Sequence, residues 1–430
     1  MKKDSTVVVR PASSIAGSLR LPGDKSISHR YAMLAAIAEG TSRLHNFSTG
    51  ADCASTLGCL QALGANVQRR ENTVEIRGQK LKLRPPAAPL DCGNSGSTMR
   101  MMSGILAGQN FTSELTGDES LSRRPMARVI APLEMMGATI ASRDGGRPPL
   151  RVTGGKLKAI AYNMPVASAQ VKSCLLFAGL FAEGETSVVE PVLTRDHGEL
   201  ALHAFGAKVT QGRNESRIIG GQSLQAIEAE IPADISSAAF FLCAAALFPG
   251  SDLMVENLLV NPTRARLLDI LILLGLGISV TQIDEVHGEL RGTVKAVGRE
   301  LGTVDITGAD SAALIDEIPV LAAIAPYTAG GIEIRDAREL RVKESDRIAA
   351  IAKNLRAMGA QLEEREDGLK IPGGQKLRGA ELDSQGDHRI AMAFAVAALR
   401  AQGDTQIRGA DAAVISYPGF FAALESILQR

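Results

Sequence analysis

Two interleaved sets of glycines divide the chain into nearly equal steps, and this periodicity restricts the fold more than any other feature. The pattern Leu-x-x-apolar-Gly-x-x-apolar occurs at Leu60 to Val67, Leu133 to Ile140, Leu202 to Val209, Leu271 to Ile278 and Leu355 to Leu362. Its glycines (Gly64, Gly137, Gly206, Gly275, Gly359) lie 73, 69, 69 and 84 residues apart. A second set, Gly40, Gly108, Gly184, Gly250, Gly330 and Gly403, is spaced by 68, 76, 66, 80 and 73. Each glycine follows an apolar or amphipathic stretch and precedes a β-type run, as a helix C-cap leading into a strand does. The chain therefore reads as six α-β-α-β modules, the last ending within a helix over Phe420 to Leu428.

Alternating helices and strands place the chain in the α/β class. A TIM barrel would need eight βα units, and the dinucleotide fingerprint, the P-loop and the His-Glu-x-x-His zinc motif are all absent. Six modules suit two pseudo-threefold domains better. With 430 residues, the length accommodates two such domains.

The first helix of each module has a polar or glycine-rich start and an almost wholly apolar remainder. The starts are Asp24-Lys25-Ser26-Ile27-Ser28-His29-Arg30, Gly93 through Arg100, Ser168-Ala169-Gln170-Val171-Lys172-Ser173, Asp234-Ile235-Ser236-Ser237, Asp310 through Glu317, and Gly386-Asp387-His388-Arg389. Helices apolar on all sides, such as Ala238 to Leu247 and Ile390 to Leu399, belong inside a domain core. Ser and Asp at the starts are good N-caps. Capping does not require Lys25, Arg30, Gln170 or Arg389 beside them; a helix N-terminus is also an anion site, and such neighbours suit it. The second helices add further cations at equivalent positions, in Arg123-Arg124-Pro125-Met126, Thr194-Arg195-Asp196-His197 and Arg341 through Arg347. The i, i+4 spacing of Lys343 and Arg347 predicts a shared helix face.

Composition removes several classes of function. Lys plus Arg and Asp plus Glu both number 47, so the net charge is zero, unlike that of an electrostatic nucleic-acid binder. Aromatic residues make up 3% with no Trp, too few for base-stacking platforms. Cys53, Cys59, Cys92, Cys174 and Cys243 form no C-x-x-C pair and sit among small or apolar neighbours, as buried free thiols do. The start, Met1-Lys2-Lys3-Asp4, has no apolar signal region, and no run of 18 apolar residues occurs. A cytoplasmic protein with no membrane partner is expected.

At the motif level the chain resembles the 5-enolpyruvylshikimate-3-phosphate synthase family. Leu21-Pro22-Gly23-Asp24-Lys25-Ser26-Ile27-Ser28-His29-Arg30 is similar to its signature. The likeness continues through Gly93 to Arg100, Gly117-Asp118-Glu119-Ser120, Arg124-Pro125-Met126, Ser168-Ala169-Gln170, Lys343-Glu344-x-x-Arg347 and Gly386 to Arg389. It spans nearly the whole chain and is closest to the class II subgroup. Ile415 replaces the lysine found in another subgroup, and Met101 replaces a proline. The resemblance implies six βαβαββ units in two domains, an inside-out α/β barrel arrangement with the active site in the interdomain cleft. The domains would be 1–21 plus 234–430, and 22–233.

The resemblance also implies roles for single residues. Lys25, Ser26, Arg30, Ser168, Ala169, Gln170, Arg195, Asp316 and Lys343 would bind shikimate 3-phosphate. Lys25, Gly96, Arg124, Gln170, Arg347 and Arg389 would bind phosphoenolpyruvate. Asp316 would act as base at the 5-hydroxyl, with Lys343, Glu344 and Lys25 as further catalytic groups. No metal or organic cofactor, no nucleic acid and a monomeric state are implied. His29 reads as a structural hydrogen-bonding residue, while the role of His388 stays open.

The charges fit such substrates. Two phosphates and two carboxylates bring roughly −5 to −6. Lys25, Arg30, Arg124, Arg195, Lys343, Arg347 and Arg389 supply seven positive charges, with arginine predominating as two-pronged anion grips require. Three rival readings are the UDP-N-acetylglucosamine enolpyruvyl transferase, an RNA 3′-terminal phosphate cyclase-like protein and a non-catalytic repeat scaffold. The first looks for a reactive cysteine, which Gly117 to Met126 lacks. The second fits poorly with zero net charge, and the third leaves Lys25, Asp316, Glu344 and Arg389 without a purpose.

Overall fold

The computed structural model describes residues 5–430, so the Met1-Lys2-Lys3-Asp4 start lies outside the described residues. The chain divides into two compact units. Unit 1 comprises residues up to Leu21, Pro232–Asp284 and Leu290–Arg430; unit 2 comprises Pro22–Ile231 and Glu285–Glu289. No described helix is long and apolar enough to cross a membrane.

One strand pattern recurs through both units. In unit 2, Leu90–Asp91 runs parallel to Thr112–Thr116, which pairs antiparallel with Arg147–Thr153, and that strand with Thr139–Arg143. Ala161–Asn163, Glu185–Val189, Glu215–Ile219 and Val209–Gln211 repeat the same order and directions. In unit 1 so do Thr303–Ile306, Gly331–Ile334, Gly368–Ile371 and Glu363–Arg365. In these modules the parallel pair flanks helical structure, because parallel neighbours need a crossover that a hairpin cannot supply.

At two places the strand before a helix pairs in the other unit's sheet. Ser14–Arg20 precedes the helix Lys25–Ile37 of unit 2 but lies parallel to Asp252–Leu259 in unit 1. Conversely, Glu228–Glu230 precedes the helix Ile235–Ala246 of unit 1 but lies parallel to Thr41–His45 in unit 2. These exchanges fix the crossings at Leu21/Pro22 and Ile231/Pro232.

The glycine series corresponds to real helix ends. Gly137 and Gly275 have φ of 108° and 116°, and their amides donate to Glu134 O and Ile272 O. A side chain in that left-handed conformation would be strained, so glycine terminates these helices without steric penalty. Two positions depart from the sequence expectation. Gly108 stays right-handed, and in the fifth module Gly331 rather than Gly330 takes positive φ.

The chain also ends differently from the expected helix. The last helix stops at Glu425, and Leu428–Gln429 forms a strand antiparallel to Ser14–Ile15. Pairing there satisfies backbone groups that a continued helix would have left at the sheet edge.

The core consists of the first helices. Every residue of Ile235–Ala246, Ile318–Ile324 and His388–Ala398 is buried, and these three helices pack on one another in unit 1. In unit 2 the helices Gly96–Ala107 and Ala169–Gly179 cross in backbone contact. A Cβ on Gly104 would stand 2.1 Å from Cys174 O. Since that neighbour is backbone, one helix would have to move. Gly104→Ala should therefore destabilise by about 3 kcal/mol, the upper end of ordinary overpacking; an unchanged urea midpoint would show that the helices can separate freely. All five cysteines are buried and free.

Candidate functional site

In unit 2, three helix N-termini carry the anion-binding candidates. Asp24 caps the first, its carboxylate accepting from Ile27 N at 2.8 Å. Lys25 then starts the helix, with Nζ 2.9 Å from Asp52 Oδ2 on the neighbouring helix Ala51–Ala62. One turn on, Arg30 is buried, and its guanidinium ties two elements together. It donates to Ser26 O (2.9 Å), to Ser173 Oγ (3.1 Å) and to Ala169 O (3.3 Å). Arg195 Nη1 donates to Ser26 Oγ at 3.5 Å. Burial, and next the charge of Arg195, pull the Arg30 guanidinium down to about 10. A bound anion would offset the repulsion between the two guanidinium groups and favour the charged form of Arg30.

The other two helix starts join beside this group. Ser168 caps Ala169–Gly179 by accepting from Val171 N. Gln170 donates through Nε2 to Ser97 Oγ (2.9 Å) and accepts at Oε1 from Arg100 Nη1 (2.8 Å). Ser95 caps the helix that Gly96 begins. Arg124, also buried, donates to Asn94 Oδ1 at 3.1 Å. A Cβ on Gly96 would lie 2.8 Å from Arg100 Nη1 and 3.2 Å from Arg124 Nη1, so the missing side chain leaves room for two guanidinium groups.

Lys25, Ser26, Arg30, Arg195, Ser168, Ala169 and Gln170 thus gather with Gly96 and Arg124 in unit 2. Asp52, Asn94, Arg100 and Ser173 belong to the same network and were given no role from the sequence. Arg100 closes the Gly93 to Arg100 motif, so its place there was a usable signal. Asp52 offered only a first-turn acid in a second helix, which is common on any helix. His29 is buried with Nδ1 2.7 Å from Thr56 Oγ1, the hydrogen-bonding role expected. Burial first, then Lys25 and Arg30, hold its pKa well below the ordinary value.

Unit 1 holds the acids and the remaining cations. The fifth module's helix is broken between Ala309–Ala313 and Ile318–Ile324, and Asp316 sits in the break. Its Oδ1 lies 3.8 Å from Arg347 Nη1 and 3.9 Å from Arg389 Nε, and its backbone carbonyl accepts from Arg389 Nη1 at 2.7 Å. Arg347, 1% exposed at the side chain, donates to Asp387 Oδ2 (2.8 Å) and Oδ1 (3.3 Å) and to Glu344 Oε2 (2.6 Å). Asp387 also caps the helix His388–Ala398, accepting from Arg389 N at 2.9 Å.

Lys343 and Arg347 do not share a helix face, contrary to the spacing. Lys343 follows the 3-10 turn Arg338–Val342, and the helix starts only at Arg347 because Asp346 caps it by accepting from Ala349 N. Lys343 nevertheless stands near Asp316 and Glu344. Burial lowers its pKa from the ordinary lysine value, against the pull of Asp316, Glu339 and Glu344.

Two buried carboxylates in unit 1 set an acid limit on stability. Burial works against the ionised form of Asp387, but Arg347 outweighs it and holds the group below its ordinary value. For Glu317, burial is likewise outweighed, chiefly by Arg264. Depressed carboxylates contribute stability that is present above their unfolded values, about 4, and is lost as pH falls through the folded ones. The urea midpoint should hold from pH 7 to about 5 and drop steeply below about 4. A midpoint that stayed level down to pH 3 would contradict this assignment.

Comparison with known proteins adds an independent line. A family model for EPSP synthase (3-phosphoshikimate 1-carboxyvinyltransferase) matches residues 9–424. A 3-phosphoshikimate 1-carboxyvinyltransferase of Koribacter versatilis is 60% identical, covering 99% of this chain and 100% of its own. One from Solibacter usitatus is 54% identical over 98% and 99%. Among solved structures, an EPSP synthase from Acinetobacter baumannii superposes with a TM-score of 0.87 at 40% identity, covering 98% of both chains.

Proposed function

The chain belongs to the EPSP synthase family, and on that footing we propose how its own residues carry out the transfer of an enolpyruvyl group from phosphoenolpyruvate to the 5-hydroxyl of shikimate 3-phosphate. The product leads toward chorismate and the aromatic amino acids, and phosphate is released. The observation that carries the assignment of roles is Asp316, a carboxylate held by its neighbours within 4 Å of two guanidinium groups.

Shikimate 3-phosphate is held by Lys25, Ser26, Arg30, Ser168, Ala169, Gln170 and Arg195, with Asp316 and Lys343 at its hydroxyls. Phosphoenolpyruvate is held by Lys25, the Gly96 backbone, Arg124, Gln170, Arg347 and Arg389. The helix starts favour these anions through amide groups that lack intrahelical partners. Asp316 takes the proton of the 5-hydroxyl as its oxygen bonds to C2 of phosphoenolpyruvate. Glu344, with Lys343, delivers a proton to C3, giving a tetrahedral ketal phosphate. Removal of a C3 proton and departure of phosphate then restore the double bond. The two jobs need titratable groups at different places, which Asp316 and the Lys343–Glu344 pair provide. The lowered pKa of Lys343 makes it a readier proton donor.

The test is phosphate release from phosphoenolpyruvate with and without shikimate 3-phosphate. Release that depends on both substrates is expected. No release with both present, or equal release without the acceptor, would overturn the reading, and UDP-N-acetylglucosamine should not substitute as acceptor. The same reading makes the protein a cytoplasmic monomer that needs no metal or organic cofactor. A single species near 45.3 kDa in sedimentation is the expected result for its oligomeric state.

A further inference from the structure

Beneath Asp316 lies an ion pair that the reaction as derived does not use. Glu317, the next residue, is fully buried, and so is its partner Arg264 at 2% exposure. Arg264 grips both carboxylate oxygens, Nη1 to Oε2 at 2.9 Å and Nη2 to Oε1 at 2.6 Å. Ser236 Oγ donates to Oε1 at 2.6 Å and also accepts from Arg264. The pair joins the loop before the helix Arg266–Leu274 to the start of Ile235–Ala246 and to the Asp316 turn.

The next cation is Arg389. Its Nη1 is 3.9 Å from Glu317 Oε1, beyond hydrogen-bond reach, and donates instead to Asp316 O at 2.7 Å. Glu317 is therefore a buried negative charge one short movement from a guanidinium of the candidate anion site, and Arg264 and Ser236 already occupy its oxygens. Without Arg264, the carboxylate would be left to the cation beside it, Arg389, because an unpaired buried charge is costly.

We propose that Arg264 is a positioning residue: by holding Glu317 in a two-pronged buried pair, it keeps Arg389 directed at the carboxylate or phosphate of the anionic substrate. The inference rests on the reading of Arg389 as a phosphoenolpyruvate-binding residue. It concerns ground-state binding of one substrate, so its signature is a selective change in KM.

The experiment measures KM for each substrate and kcat in the wild type, R264M and the double variant R264M/E317M. R264M should raise the KM for phosphoenolpyruvate about tenfold to a hundredfold, the range known for residues that orient metal-binding side chains. The KM for shikimate 3-phosphate should stay within about threefold. Removing the stranded carboxylate in R264M/E317M should return the phosphoenolpyruvate KM to within about threefold of wild type, since a packed apolar pair replaces a buried ion pair without stranding a charge. Equal increases in both KM values, or no rescue in the double variant, would overturn the proposal in favour of a purely structural pair. If R264M does not fold, R264K keeps the charge but loses the fork, and a phosphoenolpyruvate KM unchanged in R264K would equally overturn it. An inactive wild type would instead refute the underlying functional reading.

Discussion

Asp316→Asn should lower kcat by about 10²- to 10⁴-fold while leaving the KM for phosphoenolpyruvate unchanged or smaller. The substitution keeps the size of the side chain and removes its capacity to accept a proton. The side chain is 20% exposed and its carbonyl contact with Arg389 is backbone, so the fold should tolerate the change. The direction of the KM change follows from charge. Asp316 lies within 4 Å of Arg347 and Arg389 and offsets part of their positive field. Asparagine would leave that field to the anionic substrate. A variant within tenfold of wild-type kcat would remove Asp316 from the base role.

The second large effect is expected at Arg347. Its guanidinium satisfies Asp387 through two nitrogens and Glu344 through one, with almost no exposure. Arg347→Met would take from the fully buried Asp387 the guanidinium that pairs with it, and breaking one side of a buried pair typically costs about 3–5 kcal/mol. The same change removes a proposed grip on phosphoenolpyruvate, so its KM should rise by about a hundredfold or more. Arg347→Lys separates the two consequences. A lysine retains the charge and much of the stability, but a single ammonium cannot span Asp387 and Glu344 while facing an anion. Its KM should still rise severalfold. Chemical unfolding alongside kinetics reads both effects, and a stable, kinetically normal Arg347→Lys would argue against a role in substrate binding.

The sequence was legible where the determinants are local. Helix starts such as Asp24-Lys25-Ser26 and Gly386-Asp387-His388-Arg389 combine caps with cations within four residues, and the structure places those caps as expected. The C-terminal glycines were legible for the same reason, because a left-handed residue after an apolar run needs little tertiary context. Lys343 was misplaced because i, i+4 spacing implies a helix only if one is present, and Asp346 delays the helix to Arg347. The strand exchange of Ser14–Arg20 and Glu228–Glu230 depends on pairing across more than 180 residues, which no local pattern encodes. Arg264 and Glu317 are 53 positions apart, and although Glu317 closes the Asp310 through Glu317 start, Arg264 stands in no motif. The acids and cations that line a site carry local signatures; the buried groups that aim them are found only by folding.

The central claim is a transfer by addition and elimination, with a proton gained and lost at C3 of phosphoenolpyruvate. Turnover in deuterium oxide, followed by mass analysis of the enolpyruvyl product, tests it most directly. Addition creates a methyl group at C3 containing one solvent-derived hydron, and elimination removes any one of the three. The account predicts deuterium in the methylene of the product. A product formed at full rate with no deuterium at that carbon would contradict it.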